Sequence, residues 1–360
     1  MTIWAFSCDP GGTAGMLPVV RELKKKKEKV LYFAYGKARE ILSNEQENFL
    51  GFNSANDIIS MFADHHWPSA FVTSMCSKDQ IARDLIKLFT EVCPSVALQD
   101  YWGARLASTW KDTRPDHICV NDAVGKEIVE TAWPDFYHEN IQVLGYPALD
   151  QYVDFDIEEI KMDVKKDLQL KEKPIVLFGG QGSSTGKVFK ELIETLNGIG
   201  EEVYLLPRAH PRMKEDYPQE ISEWEGALDL FKAGEIIETS EYKSIQPLIA
   251  ASTVVVSMYS TVLVEASTLR ISNISMLYPD AGMVEFRKGT GGIIDEFPLT
   301  KLGCSAKASN RVDLTESLES SFQGDLKKKL NPAQDEYFKL DGQNAKRVAE
   351  FVLSLTEQER

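Results

Sequence analysis

The sequence predicts an α/β chain of two parallel-sheet domains, on three observations. Short apolar runs alternate with amphipathic segments along the whole length, the pattern of repeated βα units. At 360 residues the chain has about the length of two ordinary domains. Each half also opens in the same way, with an apolar strand, a glycine-rich turn and a helix.

In the first half, strands are expected over 3–8, 30–35, 70–73, 95–99, 117–120 and 141–144. A turn over 9–15 precedes a helix over 16–27, which ends in four lysines that suit the negative end of a helix dipole. The expected domain boundaries follow from composition. Residues 1–150 form one Rossmann-like domain, and the strongly charged stretch 151–173 is a linker with little core-forming capacity. After Pro174 the alternation restarts, with strands over 175–178, 203–207, 253–257 and 274–277 and helices over 187–196 and 261–268. Residues 174–330 thus form a second Rossmann-like domain. Within 331–360 a closing helix is expected over 334–355, able to pack back on the first domain. Two such domains with parallel sheets are expected to face a cleft.

Composition narrows the function classes. Apolar residues make up 43% and aromatic residues 10%, enough for two cores and wrong for a disordered chain. A formal charge of −15 argues against a nucleic-acid partner, but not against a small phosphate ligand held by a few local donors. Five scattered cysteines, with no CxxC spacing, suggest neither a disulfide framework nor a zinc site and fit a reducing compartment. No leader segment and no span of about 20 apolar residues is visible, so a cytoplasmic protein is expected.

Four loops carry candidate chemistry, each at the expected C-terminal end of a strand, where open α/β sheets bind ligands. The first, from Asp9 through Gly11 and Gly12, offers close backbone approach and free N–H groups at a helix start. The second contains Gly179, Gly180, Gly182, Ser183 and Ser184, which suit a phosphate or diphosphate. It lacks the order of a Walker loop, which disfavours ATP-type phosphoryl transfer. In the third, Arg208 and Arg212 flank His210, whose following proline fixes how the ring leaves the strand. A histidine there can donate to a phosphate oxygen. In the fourth, Ser260 and Thr261 stand at a helix start, and Glu265 one turn on can accept from a ribose diol. Each loop also has an ordinary reading as a tight turn or a cap.

These residues resemble the GT-B superfamily of nucleotide-sugar enzymes, which includes metal-independent glycosyltransferases and non-hydrolysing UDP-N-acetylglucosamine 2-epimerases. His210-Pro211 with Ser260-Thr261 is similar to the HP and S/T motif pair of bacterial sialyltransferases, Kdo transferases and CDP-glycerol polymerases. In those families the pair binds the phosphate of a cytidine nucleotide. Gly11 to Gly15 and Gly179 to Gly182 resemble the glycine loops of lipid-II-forming N-acetylglucosaminyltransferases, and Glu265 resembles the ribose-binding glutamate of the epimerases. The acidic motif that supplies the base in HP-type sialyltransferases has no counterpart. Asp9 and Asp100 are the candidate bases, and Asp100 reads equally well as a cap.

The resemblance implies a glycosyltransferase without metal or other cofactor. It would move a sugar from a nucleotide-activated donor, CMP- or CDP-linked in preference to UDP-linked, to a glycan or lipid-linked acceptor. The rivals are an epimerase that needs no acceptor and an inactive nucleotide-sugar binding protein.

Overall fold

The computed structural model describes residues 1–54, 57–58, 67–75, 80–100, 102, 106–210 and 213–358. The chain divides into two compact units. The first comprises Met1–Val153, Gly289–Ile294 and Leu340–Arg360, and the second Asp154–Lys288 and Asp295–Lys339.

The first unit contains β1 (Thr2–Ser7), β2 (Lys29–Ala34), β3 (Leu50–Gly51), β4 (Ala70–Ser74), β5 (Ser95–Leu98), β6 (His117–Val120) and β7 (Ile141–Val143). They pair in parallel in the order β3-β2-β1-β4-β5-β6-β7. Ile3, Trp4, Ala5 and Phe6 of β1 are all fully buried, as a central strand covered on both faces requires.

The first helix departs from expectation. Residues 9–15 are not a turn: the helix runs Pro10–Lys25, with Asp9 as its N-cap accepting from the Gly12 amide at 2.8 Å. Asp-Pro is an N-cap followed by a proline whose fixed φ suits the first helical position, and that signal outweighs the helix-breaking reading of three nearby glycines.

Met16, Val19, Val20 and Leu23 of this helix pack with Val348, Ala349 and Val352 of the Asn344–Gln358 helix. The single closing helix expected over 334–355 is therefore two, Asp325–Tyr337 in the second unit and Asn344–Gln358 in the first. Between them Gly342 takes a φ of +65°, a left-handed conformation in which glycine is at ease. The start of the later helix is held by Asp150, which accepts from the amides of Asn344 and Ala345 at 3.1 and 2.8 Å. Burial nevertheless pushes the Asp150 carboxyl above its ordinary value.

The second unit contains β8 (Ile175–Gly179), β9 (Val203–Arg208), β10 (Gly234–Ile236), β11 (Val254–Ser257), β12 (Ser272–Met276) and β13 (Ala306–Ala308). These are parallel, in the order β10-β9-β8-β11-β12-β13. This is a doubly wound sheet whose winding reverses between β8 and β11. Phe178 on β8 stacks on Phe189 with ring centroids 4.6 Å apart, and Phe189 on Trp224 at 4.2 Å. These rings join the sheet to the Thr185–Ile199 and Pro218–Leu228 helices. The charged stretch 151–173 holds the unit boundary and a helix, Ile157–Asp167, that packs against the Gln246–Ala251 helix.

Cys8, at the end of β1, is disulfide-bonded, which its sequence surroundings do not announce, while Cys93, Cys119 and Cys304 are free and buried. Among the described residues no helix is long and apolar enough to cross a membrane.

His117 makes one stability prediction. Its ring packs edge-on against Phe351 at 5.4 Å, and its Nδ1 is buried without a hydrogen-bond partner. Burial holds its pKa below the ordinary 6.5, with Asp116 opposing more weakly. The unfolded chain therefore binds this proton more readily, and the stabilising contribution, present above about pH 6.5, is lost as pH falls. The urea midpoint of the wild type should fall on acidification from pH 7.5 to 5 more steeply than that of His117→Phe. Parallel pH profiles would refute the assignment.

Candidate active site

The second unit gathers three of the four predicted loops. They leave β9, β8 and β11, which are adjacent in the sheet, and the loops after β8 and β11 flank the point where the winding reverses. In such sheets the strands diverge there, and their C-terminal ends frame a crevice.

The two loops are bolted together. Ser257 Oγ donates to the Gly179 carbonyl at 2.6 Å, and the Tyr259 amide donates to Gln181 Oε1 at 3.0 Å. The Ser275 hydroxyl donates to the Met258 carbonyl from β12. Gly179 has no room for a side chain, because a Cβ there would come 2.8 Å from Val262 Cγ1. The Thr261–Thr268 helix therefore starts close above β8.

In that helix Val262, Leu263, Val264, Ala266, Ser267 and Thr268 are buried, whereas Thr261 is exposed and Glu265 half-buried. Ser260 is the N-cap. Thr261 and Glu265, four apart, share one face. Ser260, Thr261 and Glu265 thus lie along one strip, from a helix N-terminus with its positive dipole end, where Ser260 Oγ accepts from Val262 N, to a carboxylate one turn further in that accepts from Gln246 Nε2 at 3.1 Å. That arrangement can take an anion at one end and a hydroxyl at the other.

The glycine loop after β8 is differently disposed. Its amides are largely satisfied from within: Gly180 N donates to the Arg208 carbonyl at 2.7 Å and Gln181 N to Thr185 Oγ1 at 2.9 Å. The N-terminus of the Thr185–Ile199 helix is filled by a carboxylate. Glu220, 7% exposed, accepts from Ser184 N through Oε1 and from Gly186 N through Oε2, both at 2.9 Å. Ser184 takes a left-handed φ of +65° to make this bond. Of the expected cradle, Gly180 and Ser184 thus spend their amides on the protein, and Gly182 lies against the Tyr217 ring. Sequence reasoning missed Glu220 because a cap from another helix leaves no local signal.

Arg208 ends β9, and His210 follows it. The Arg208 guanidinium donates to the carbonyls of Thr239 and Tyr242 at 2.6 and 3.0 Å, so it braces the segment leading to the Gln246–Ala251 helix. Burial lowers its pKa from the ordinary value, with Glu238 opposing. His210 is half-buried two residues on, beside the point where Ala209 approaches Gly180. Pro211 and Arg212 lie outside the described residues.

In the first unit, the candidates Asp9, Gly11, Gly12 and Asp100 come together. A Cβ on Gly11 would sit 3.1 Å from Asp100 Oδ2, and one on Gly12 would overlap the Ser74 hydroxyl. The glycines are there for close approach of the Ser74 side chain from β4 and the Asp100 side chain from beyond β5 rather than for a turn. Asp9 is a helix cap, and Asp100 lies beyond the end of β5 with its carboxylate over Gly11. Among the described residues no group of three or more His, Cys, Asp or Glu side chains is placed to hold a metal ion.

Two doubly wound parallel sheets, each with its candidate residues at the C-terminal strand ends, are the sheets of a GT-B fold. Residues 99–354 match the model of the CDP-glycerol:poly(glycerophosphate) glycerophosphotransferase family. The chain belongs to that family of transferases and has the GT-B fold.

Solved structures agree on the fold. A wall teichoic acid polymerase, in a structure with CDPG, matches with a TM-score of 0.64 at 15% identity, over 99% of this chain and 89% of that one. The UDP-GlcNAc 2-epimerase of Neisseria meningitidis, bound to UDP-GlcNAc, gives 0.68 at 14% identity over 98% and 100%. That of Methanocaldococcus jannaschii gives 0.67 at 13% over 98% and 100%. No curated protein matches in sequence.

Proposed function

We propose that this transferase uses a CDP-linked donor, of the CDP-glycerol kind, and moves its phosphoalditol group to a hydroxyl of a glycan or lipid-linked acceptor, releasing CMP. The observation that carries this reading is that Glu220 fills the N-terminus of the Thr185–Ile199 helix. Among the described residues at these strand ends, the strip at Ser260 and Thr261 then remains as an anion position, and one such position matches the single phosphate of CMP better than the two of UDP.

In the proposed step the acceptor oxygen bonds to the β-phosphorus of the donor, and the bond from that phosphorus to the bridging oxygen breaks. CMP departs with the electron pair, and the hydroxyl proton passes to a base. Catalysis of such a transfer is mostly positioning and charge stabilisation. His210 and the amides at the start of the Thr261–Thr268 helix are assigned to the charge on the departing phosphate. Asp100, whose carboxylate lies over Gly11, is assigned as the base. No divalent metal is required, because these donors supply the neutralising charge.

Calorimetric titration with CMP and UDP tests the reading. The wild type should bind CMP at least as tightly as UDP. His210→Ala should weaken CMP binding by about 1.5–3 kcal/mol, the worth of a charge-assisted hydrogen bond. UDP bound at least about tenfold more tightly than CMP, a gap of about 1.4 kcal/mol, would overturn the cytidine choice. Unchanged CMP affinity in His210→Ala would remove the role of the histidine. Conversion of a UDP-sugar with no acceptor present would favour the epimerase instead.

A further inference from the structure

Asp100 stands between two anchors that fasten to the same helix start. On one side is Gln99, 1% exposed, whose amide donates to the Cys119 carbonyl of β6 at 2.9 Å and whose Nε2 donates to the Gly125 carbonyl at 3.3 Å. A Cβ on Gly125 would come 2.4 Å from Gln99 Oε1, so the Ala123–Ala132 helix starts hard against this strand end. On the other side is Trp102, 3% exposed, whose indole N–H donates to the two oxygens of Asp122 at 3.2 and 2.9 Å. Asp122 is the N-cap of that helix and also accepts from Gly125 N at 2.6 Å.

The backbone records the constraint. Trp102 takes a φ of +37°, a left-handed conformation that a bulky residue keeps only where its surroundings over-determine it. Here a buried ring and its bond to Asp122 do so. An indole N–H donates and never accepts, so this anchor holds in one sense only. With Gln99 and Trp102 fixed on either side, the backbone at Asp100 has little freedom to turn. Its carboxylate is directed over Gly11 before any acceptor arrives.

We propose that Trp102 is a positioning residue, whose bond to Asp122 sets Asp100 for removing the acceptor proton. The proposal rests on the assignment of Asp100 as the base and adds to it the device that aims it. A displacement of about 1 Å at a reacting group can cost about 100-fold in rate, so loss of this one remote bond should show in turnover.

The experiment follows CMP release from CDP-glycerol with a poly(glycerophosphate) acceptor, together with calorimetric CMP affinity and thermal unfolding of each variant. Trp102→Phe keeps an aromatic ring and removes the donor. It should lower kcat by about 10- to 100-fold and leave the donor KM and the CMP affinity unchanged. Asp122→Asn should act alike, because its oxygen can still cap the helix while its NH2 group takes the place of the oxygen nearer the indole. In the Asp100→Asn background Trp102→Phe should cost no further turnover, since it acts through the carboxylate already lost. A merely structural Trp102 would lower turnover by the same factor in both backgrounds.

Wild-type turnover in Trp102→Phe would overturn the proposal, as would an equal loss in the two backgrounds. Should Trp102→Phe melt early, Asp122→Asn, which keeps the helix cap, is read in both backgrounds instead. Wild-type turnover in Asp100→Asn would sink the base assignment, and the positioning role with it. A wild type that releases no CMP would sink the donor reading on which both depend.

Discussion

Replacing Asp100 by Asn is expected to lower kcat by about 10²- to 10⁴-fold, the usual contribution of a general base, while leaving CMP affinity unchanged. The choice of Asn separates the two readings of this residue. Asparagine caps helices and turns about as well as aspartate, so a purely structural Asp100 would tolerate the change with little effect on turnover. It cannot accept the acceptor proton, so a base would be lost. Asp9→Asn is the matched control. Asp9 Oδ1 already accepts from Gly12 N at 2.8 Å, and an asparagine there preserves that bond, so turnover should stay near wild type. Stopped assays with a CDP-linked donor, read as CMP release, would decide the matter. A collapse of turnover in Asp9→Asn with normal rates in Asp100→Asn would reverse the assignment of the base.

The parts of the fold that sequence patterning predicts are those governed by local physics. The central strands β1, β4, β5, β6, β8 and β11 are apolar runs buried on both faces, and they begin and end within a residue or two of where periodicity places them. The edge strands β3, β10 and β13 were not foreseen. They have two or three residues and little burial, so they owe their state to a neighbour rather than to their own composition. The Asp9-Pro10 start was legible as a cap signal but hidden behind the glycines. Those glycines in turn are explained by Asp100, Ser74 and Tyr146, which arrive from segments far away in sequence.

The same division runs through the candidate site. Ser260, Thr261 and Glu265 can be read from spacing, because cap and helix face are short-range facts, and the helix spans Thr261–Thr268 as expected. Gln246, 19 residues away from Glu265, and Glu220, more than 30 residues from the amides it fills, are products of packing. Their effect is to change what the legible residues can do. Gln246 donates to Glu265, and Glu220 withdraws a helix N-terminus that the Gly-Ser sequence alone offers to a ligand.

That withdrawal has a measurable consequence. Glu220→Ala should destabilise the chain by about 2–5 kcal/mol, because it orphans two amides that a nearly buried carboxylate now satisfies, each worth about 1–3 kcal/mol when left unpaired. The loss should fall on the second unit, where Glu220 joins the Pro218–Leu228 helix to the start of the Thr185–Ile199 helix. Glu220→Gln should fall between, since its oxygen can accept from one amide while its NH2 group faces the other. The variant also uncovers an anion site. In Glu220→Ala the two free N–H groups and the positive end of a 15-residue helix can take inorganic phosphate or sulfate, which binds the folded state and raises its melting temperature by mass action. Titrating phosphate should therefore raise the melting temperature of Glu220→Ala more than that of wild type or Glu220→Gln. Were the wild type to gain as much from phosphate as the alanine variant, a second phosphate position would already be open in it. The preference for a one-phosphate leaving group would then lose its physical basis, whatever the melting temperature of the variants.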